Sequence, residues 1–588
     1  MASPLLKVEN LSIAFPKDGA VNTVVQNLSF SINPGQTLGI VGESGSGKSM
    51  TSLAIMGLLP VSAQVPDGTI DLQLPDQTAT NLLALKQSQL RQYRGKSMGM
   101  IFQEPMSSLN PVHRCGKQVA EVLRLHKGMN KAEAREETIR WFQQVELPRP
   151  EKIFDQYPHQ LSGGQKQRVM IAMAMCCQPK LLIADEPTTA LDVTVQRNIL
   201  ALIRRLQAEQ GMAVIFISHD LGVIAEMADE VLVMYAGKKV EQGSISQIFS
   251  EPKEPYTKGL LACRPNLNQR LQRLPVLEDF TKTDEPPTLE NFPPIDPKSH
   301  QLRQETLRSK PPLLKVEGLS TWFPKETSWY GKVTEWVKAV DEVSTDIYPG
   351  ETLGLVGESG SGKTTLGRSI LRLVPIRQGS IAYEGTRLDE LNEAQMRPFR
   401  KDLQIIFQDP FSSLNPRMTI GQAIQEPMTI HGLGANEKER KERVIALLEK
   451  VQLLPEHYDR FPHQFSGGQR QRIGIARALA VEPRLIVCDE SVSALDVSVQ
   501  ASILNLLKEL QQEMGLTYLF ISHDLSVVRF MSDRIMVMQN GQVVEQGDAE
   551  DLYANPAQAY TRELLEAVPP ATLEEARTRR EATRSVMQ

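Results

Sequence analysis

One stretch, Gly42-Glu43-Ser44-Gly45-Ser46-Gly47-Lys48-Ser49, returns later in the chain as Gly357-Glu358-Ser359-Gly360-Ser361-Gly362-Lys363-Thr364. In both places an apolar run precedes it, Leu38-Gly39-Ile40-Val41 in the first copy. A strand that feeds G-x-x-x-x-G-K-[ST] and then a helix is a phosphate cradle. The glycines let backbone N–H groups turn inward, the lysine reaches the outer phosphates, and the final hydroxyl can ligate a cation. The helix adds the positive end of its dipole. Lys48 and Lys363 are the candidate phosphate ligands, and Ser49 and Thr364 candidate cation ligands.

The repetition covers far more than this loop. Leu161-Ser162-Gly163-Gly164-Gln165 recurs as Phe465-Ser466-Gly467-Gly468-Gln469, Asp185-Glu186 as Asp489-Glu490, Ser218-His219-Asp220 as Ser522-His523-Asp524, and Tyr256-Thr257 as Tyr560-Thr561. Lys48 and Lys363 are 315 positions apart, Gln103 and Gln408 are 305, and His219 and His523 are 304. The first copy therefore carries about ten extra residues before Gln103, and Pro60 to Thr80 is the expected place, as a loop or widened hairpin. A period this long means a duplicated domain, since solenoid units run about 20–50 residues.

Short apolar runs, Leu181-Leu182-Ile183-Ala184 and Val214-Ile215-Phe216-Ile217, read as buried parallel strands between helical segments. Asn540-Gly541 between apolar flanks reads as a hairpin turn. Alternating strands and helices place each copy in the α/β class. Between the copies, Pro265 to Pro312 holds nine prolines and little apolar periodicity, which reads as an extended linker over the surface. Residues 569–588 read as a charged, solvated tail. The expected units are 1–264, 265–312, 313–568 and 569–588.

Composition narrows the function. Over 588 residues, 41% are apolar and 23% charged, as in an ordinary globular chain. A net charge of −5 and only 5% aromatics argue against nucleic acid as a partner. No run approaches the roughly 20 apolar residues of a membrane span, so a cytosolic chain is expected, with docking on a membrane protein still open. The five cysteines are odd in number and match no metal-cluster spacing, which reads as reduced, buried thiols.

The remaining motifs suit phosphoryl transfer. Asp185 and Asp489 end apolar strands, where a carboxylate can hold Mg²⁺ through water. Glu186 and Glu490 follow, placed to polarise an attacking water as general base. Gln103 and Gln408 can sense phosphate and metal without adding charge, and His219 and His523 can donate to a phosphate as its charge shifts. The Ser-Gly-Gly-Gln segments offer a second anion site in each copy. Since each copy already has a phosphate loop, this suggests use in trans.

In this order, these motifs resemble the ATP-binding-cassette ATPases, over nearly all of both halves. The resemblance implies two tandem P-loop domains, each a RecA-like mixed sheet with a helical subdomain and an antiparallel β subdomain, paired head to tail. ATP on Lys48 would face Ser466, Gly467, Gly468 and Gln469, and ATP on Lys363 would face Ser162, Gly163, Gly164 and Gln165. Ala190-Leu191-Asp192 and Ala494-Leu495-Asp496 match the loop that crosses between sites, and Phe15 and Phe323 the aromatic that stacks on adenine.

Gln103-Glu104-Pro105-Met106-Ser107-Ser108-Leu109-Asn110-Pro111, its counterpart from Gln408 to Pro416, Tyr157-Pro158-His159-Gln160 and Pro255-Tyr256-Thr257 are similar to the peptide and nickel importer ATPases. Two such cassettes in one chain are similar to the ATP-binding subunits of importers for glutathione and for cell-wall or antimicrobial peptides. This implies ATP and Mg²⁺ as ligands and the cytoplasmic face of the inner membrane as location. It also implies two permease subunits whose coupling helices meet the segments after Gln103 and Gln408, and an extracytoplasmic solute-binding protein.

The second copy departs in having Phe465 for the usual Leu and Ser491 in place of Pro187, neither of which removes a reacting group. Some relatives hold an iron–sulfur cluster after a cassette; with only Cys263 in that region, none is expected here. The alternative is a soluble tandem cassette acting on the ribosome. The 58 and 57 positions separating Gln103 from Leu161 and Gln408 from Phe465 leave room for the importers' helical subdomain, and the Pro-rich linker is a poor ribosomal arm.

Overall fold

The computed structural model describes residues 3–587 apart from 18–19, 76, 104–107, 190, 266, 283–286, 328–332 and 494. Glu104, Pro105, Met106, Ser107, Ala190 and Ala494 of the motifs above lie outside the described residues.

The first half opens with β1 (Leu6–Lys17), β2 (Ala20–Ile32) and β3 (Thr37–Val41), then α1 (Lys48–Ile55), β4 (Gln64–Leu72), β5 (Thr80–Asn81) and β6 (Met98–Ile101). The helices α2 (Cys115–Lys127), α3 (Lys131–Gln144) and α4 (Gly163–Met175) follow as a packed layer. Then come β7 (Leu181–Asp185), α5 (Val193–Gln210), β8 (Ala213–Ile217), α6 (Leu221–Met227), β9 (Glu230–Tyr235) and β10 (Lys238–Ser244). One sheet is antiparallel, in the order β2-β1-β4-β5. The other runs β10-β9-β3-β8-β7-β6, parallel except for the β9–β10 pair.

Two segments lie between the halves, α7 (Leu277–Thr281) and α8 (Pro297–Arg308). The second half repeats the pattern with β11 (Leu314–Thr327), β12 (Val333–Ile347), β13 (Thr352–Val356), α9 (Lys363–Ile370), β14 (Gln378–Tyr383), β15 (Thr386–Arg387) and β16 (Leu403–Ile406). Its helical layer is α10 (Ile420–Ile430), α11 (Glu437–Lys450) and α12 (Gly467–Leu479). It closes with β17 (Leu485–Asp489), α13 (Val497–Met514), β18 (Thr517–Ile521), α14 (Leu525–Met531), β19 (Arg534–Gln539) and β20 (Gln542–Asp548); α15 (Leu573–Met587) comes last.

The apolar strand runs form a central sheet because both of its faces are covered. Along β7, Leu181 and Ile183 face the core shared with the antiparallel sheet, while Leu182 and Ala184 face the helices. β3, β7 and β8 are buried along their whole length, so their carboxyl ends can deliver polar side chains to one rim with little play. About half of the first copy's extra residues widen the β4–β5 connection, which runs 73–79 against 384–385 in the second, and most of the rest lengthen β4 (Gln64–Leu72 against Gln378–Tyr383). The Asn540-Gly541 turn joins β19 to β20 with both residues at positive φ, as an Asn-Gly hairpin requires.

Two sequence expectations change here. The linker is not simply extended: Pro297 sits in the first turn of α8, where its missing N–H costs nothing, and Asp296 caps that helix. Nor is the trailing segment a solvated end. Arg580 in α15 donates to the carbonyls of Ala225, Glu226 and Ala228 at the end of α6 in the first half. The linker docks the other way. Arg270, 9% exposed, donates to Ser532 O (2.6 Å) at the end of α14, and Arg303 grips Asp533 with two bonds (2.6 and 2.9 Å). Cys263 and Leu274 join the second half's hydrophobic core, and burial pushes the Cys263 thiol up to about 12. Each half's trailing segment thus closes the other half.

Candidate functional site

Each phosphate loop is held by its neighbours as well as by its glycines. Gly42 and Gly357 adopt φ of 148° and 149°, and an added Cβ would meet the carbonyl oxygens of Met234 and Met538 at 2.1 and 2.2 Å. The N–H groups of Glu43 and Glu358 donate to the Tyr256 and Tyr560 hydroxyls (3.3 and 3.1 Å), which gives the repeated Tyr-Thr pair a role. Lys48 Nζ donates to Gly42 O and Glu43 O (2.6 and 2.8 Å), and Lys363 Nζ to Gly357 O and Glu358 O (2.7 and 2.8 Å). Burial lowers the pKa of both amines, against the pull of nearby carboxylates that include Asp496 for Lys48 and Asp192 for Lys363. Gly45, Ser46 and Gly47, like Gly360, Ser361 and Gly362, complete the loops that lead into α1 and α9.

At the ends of β7 and β17 the sequence-predicted residues converge. Ser49 Oγ donates to Asp185 (3.2 Å), and Thr364 Oγ1 to Asp489 (2.7 Å). Burial raises Asp185 to about 6, opposed by Ser49 and reinforced by the neighbouring Glu186 charge. Asp489 is raised for the same first reason, but the Arg368 guanidinium lies 3.8 Å away and pulls it down.

Glu186 and Glu490 follow with φ of 46°, a left-handed conformation that costs a non-glycine residue energy and recurs in both copies. Their N–H groups are pinned to Ile217 O and Ile521 O, both at 3.0 Å. Glu186 accepts from Gln103 (3.0 Å) and Thr189 (2.9 Å) and lies 3.3 Å from His219 Nδ1. Glu490 accepts from Gln408 (2.8 Å) and lies 3.4 Å from His523 Nδ1. Burial alone would raise both carboxylates, yet the histidine beside each, together with Thr189 and Lys48 at the first site and Lys363 at the second, outweighs it: Glu186 falls to about 2, and Glu490 falls below its ordinary value. Burial alone would lower both histidines, and the same carboxylates hold them above their ordinary value.

The sequence reading missed Thr189, and with it an asymmetry. Ser493, in the same place, turns to Glu490 O (2.9 Å) instead of the carboxylate. A hydroxyl three residues after the glutamate in both copies was the available signal.

The Ser-Gly-Gly-Gln segments start α4 and α12. Ser162 and Gln165 form a reciprocal cap (3.3 and 3.1 Å), as do Ser466 and Gln469 (3.3 and 3.0 Å), so the hydroxyl and amide satisfy helix N–H groups. An added Cβ at Gly164 or Gly468 would meet Val195 or Val499 at 2.7 or 2.4 Å. Gly163 and Gly467 face more open space.

The two halves meet head to tail through the crossing loops. Asp496 accepts from Ser44 N (2.9 Å) and Asp192 from Ser359 N; Ser498 bonds Glu43, and Thr194 bonds Glu358. A cavity of about 660 Å³ at the second site is lined by Phe323, Lys363, Thr364, Gln408, Glu490 and His523, with Asp192 reaching in from the first half. Its own Gly467 also lines it, whereas Ser162, Gly163, Gly164 and Gln165 do not. The structure thus brings the aspartates across but leaves that segment outside the lining. Phe15 is half-buried against the first half's core.

Comparisons with known proteins give the family. Residues 25–189 and 340–493 match the ABC transporter family model, and residues 240–288 and 544–588 match the oligopeptide/dipeptide transporter C-terminal region. The chain is 51% identical over 98% of its length to glutathione import ATP-binding protein GsiA of Salmonella paratyphi A, covering 91% of that protein. It is 51% identical over 97% of its length to GsiA of Escherichia coli K12, covering 90% of it. A solved dimeric ATP-binding cassette bound to ADP and Pi is 29% identical over 40% of this chain and 98% of its own, with a TM-score of 0.37. Two strand-end sites with paired Glu and His, two matched cassettes and relatives along the full length have one reading: the chain belongs to the ABC transporter family, as an ATPase that carries two fused ATP-binding cassettes.

Proposed function

We propose that the chain is the energy-coupling ATPase subunit of an importer for glutathione or other short peptides. The observation that carries this is the doubled cluster of Glu186, Gln103 and His219 and of Glu490, Gln408 and His523, in halves joined by Asp192 and Asp496. The relatives' names supply import and glutathione; they give no support to a ribosome-acting protein. The units divide at 264, 312 and 568, as read from the sequence.

The residues suit the hydrolysis of ATP to ADP and phosphate. The histidine keeps each glutamate ionised at neutral pH, and an ionised carboxylate can accept from a water O–H. So low a proton affinity suits orienting and polarising that water more than keeping its proton. The strained backbone and pinned N–H fix the carboxylate before substrate arrives. Lys48 and Lys363 serve the outer phosphates, and His219 and His523 the leaving phosphate's charge. Phe323 offers a face to adenine.

Among the described residues no group of three or more His, Cys, Asp or Glu could hold a metal. Ser49 with Asp185 and Gln103, and Thr364 with Asp489 and Gln408, form the oxygen set that suits Mg²⁺ shared with phosphates and water. Mg²⁺ bound there would neutralise phosphate charge.

ATP-driven closure would bring Ser162–Gln165 and Ser466–Gln469 onto the nucleotide of the opposite half. Among the described residues no helix is long and apolar enough to cross a membrane. In this reading two separate permease subunits form the transport path. Their coupling helices would meet the segments after Gln103 and Gln408 at the cytoplasmic face, with an extracytoplasmic binding protein delivering solute. The test is co-purification of the Glu186→Gln, Glu490→Gln form from native membranes with ATP and Mg²⁺. Two multi-span proteins are expected, and turnover should be nearly abolished while ATP still binds. Ribosomes without membrane proteins would refute the importer reading.

A further inference from the structure

Helices α6 and α14 occupy equivalent places, each starting just after a site histidine, yet they are held differently. At the start of α6, Asp220 accepts from Gly222 N (2.8 Å) and meets Arg264 Nη1 at 3.4 Å. Arg264 in turn donates to Pro570 O (3.0 Å) and Pro569 O (3.2 Å), in the segment that trails the second cassette. The guanidinium is thus shared between the residue next to His219 and two successive carbonyls of the opposite half.

The approach depends on Gly222. A Cβ there would meet Arg264 Nη1 at 2.0 Å and Pro570 O at 2.6 Å, both too close to survive. In the second half, at the repeat's 304-residue spacing, Ser526 stands where Gly222 does and Val568 where Arg264 does. Space and cation are both missing there, so among the described residues the contact is built at one site only. The far end of α6 is held by the same trailing segment, through Arg580 and the Ala225, Glu226 and Ala228 carbonyls. Arg264 and Pro569 also line a small cavity of about 110 Å³ together with His219 and His523, so the contact lies between the two sites.

We propose that Arg264 is a positioning residue for the first ATP site, fixing Asp220 and through it His219 only while the second cassette's trailing segment is docked on α6. The proposal rests on the reading of Glu186 and Glu490 as the groups that act on water. Docking of residues 569–587 then sets the first site's rate and leaves the second site's alone. The two sites become unequal through a contact outside the phosphate loops.

The test uses the full chain with one site silenced at a time. In a Glu490→Gln background, Arg264→Gln and Gly222→Ser are each expected to slow phosphate release by about five-fold or more at unchanged KM. Arg264→Lys should recover at least half. In a Glu186→Gln background the same substitutions should stay within about two-fold. A second readout does not depend on catalysis: in the ATP-free chain, Arg264→Gln should speed amide exchange across Leu221–Met227 and leave Leu525–Met531 unchanged. Equal losses in both backgrounds, or unaltered exchange in α6, would overturn the proposal. Should the double Glu→Gln chain still turn over normally, the fault lies with the glutamate assignment, and the exchange result alone decides on Arg264.

Discussion

Asp496 in the second cassette accepts a hydrogen bond from the backbone N–H of Ser44 in the first, at 2.9 Å, inside the loop that carries Lys48. Asp192 returns the contact to Ser359. Each phosphate loop therefore carries a direct mechanical report of the other half's crossing loop. A carboxylate-to-N–H bond of this kind contributes on the order of 1 kcal/mol at a solvent-exposed interface. Asp192→Ala or Asp496→Ala should leave ATP binding within about two-fold and move the Hill coefficient of phosphate release toward one. Phosphate release titrated against ATP checks this; unchanged cooperativity in both variants would show that the crossing loops pass no information.

Lys48 is 6% exposed and Lys363 4%, and each donates its hydrogen bonds within its own loop. Lys48→Ala should weaken nucleotide binding at the first site by about ten-fold or more and leave the second intact. Calorimetric titration should then fall from two sites to one. Two sites of undiminished affinity would contradict the assignment.

Asp185 stands above its ordinary value, at about 6, because its charge is poorly solvated. A carboxyl whose folded pKa is raised binds its proton more tightly in the native state, so its contribution to stability falls as pH rises from the unfolded value of 3.8 to about 6. The cost of the buried charge is complete above that, on the order of 2–3 kcal/mol from the size of the shift. Asp185→Asn should therefore raise the melting temperature at pH 7.5 in metal-free buffer. The gain should shrink as pH falls and vanish near pH 4. A melting temperature equal to the parent's at pH 7.5 would mean the charge is better solvated than its burial implies.

The reciprocal docking makes a prediction about chain continuity. A cut at Pro293 leaves Arg270 and Leu274 seated on the second cassette and Arg580 on the first. The two fragments should co-elute in gel filtration and keep ATPase activity. Separation would place the association in the covalent link.

The fold and the residues that gather at the strand ends were legible because they are local. A strand, a turn and a helix start lie within a few residues of each other at each loop, and Asp185 and Glu186 end a run whose alternation fills two cores. Ser162 and Gln165 cap α4, and the same spacing serves a helix start and an anion site alike. What escaped was non-local. Arg580 meets carbonyls more than 350 positions earlier, and nothing in the charge pattern of α15 names them. Helix α8 hid behind its proline, which marks a helix start as readily as an extended chain.

The exchange of trailing segments also sets an order of events during synthesis. Helix α6 emerges with the first cassette, but the groups that hold its two ends, the Pro569 and Pro570 carbonyls through Arg264 and the Arg580 guanidinium, are made more than 300 residues later. At about 5–20 residues per second, the nascent first cassette spends tens of seconds with that helix unsecured. On the proposal above, His219 settles only when the second cassette is complete, so a chain made short of its final twenty residues would be born with its first site untuned.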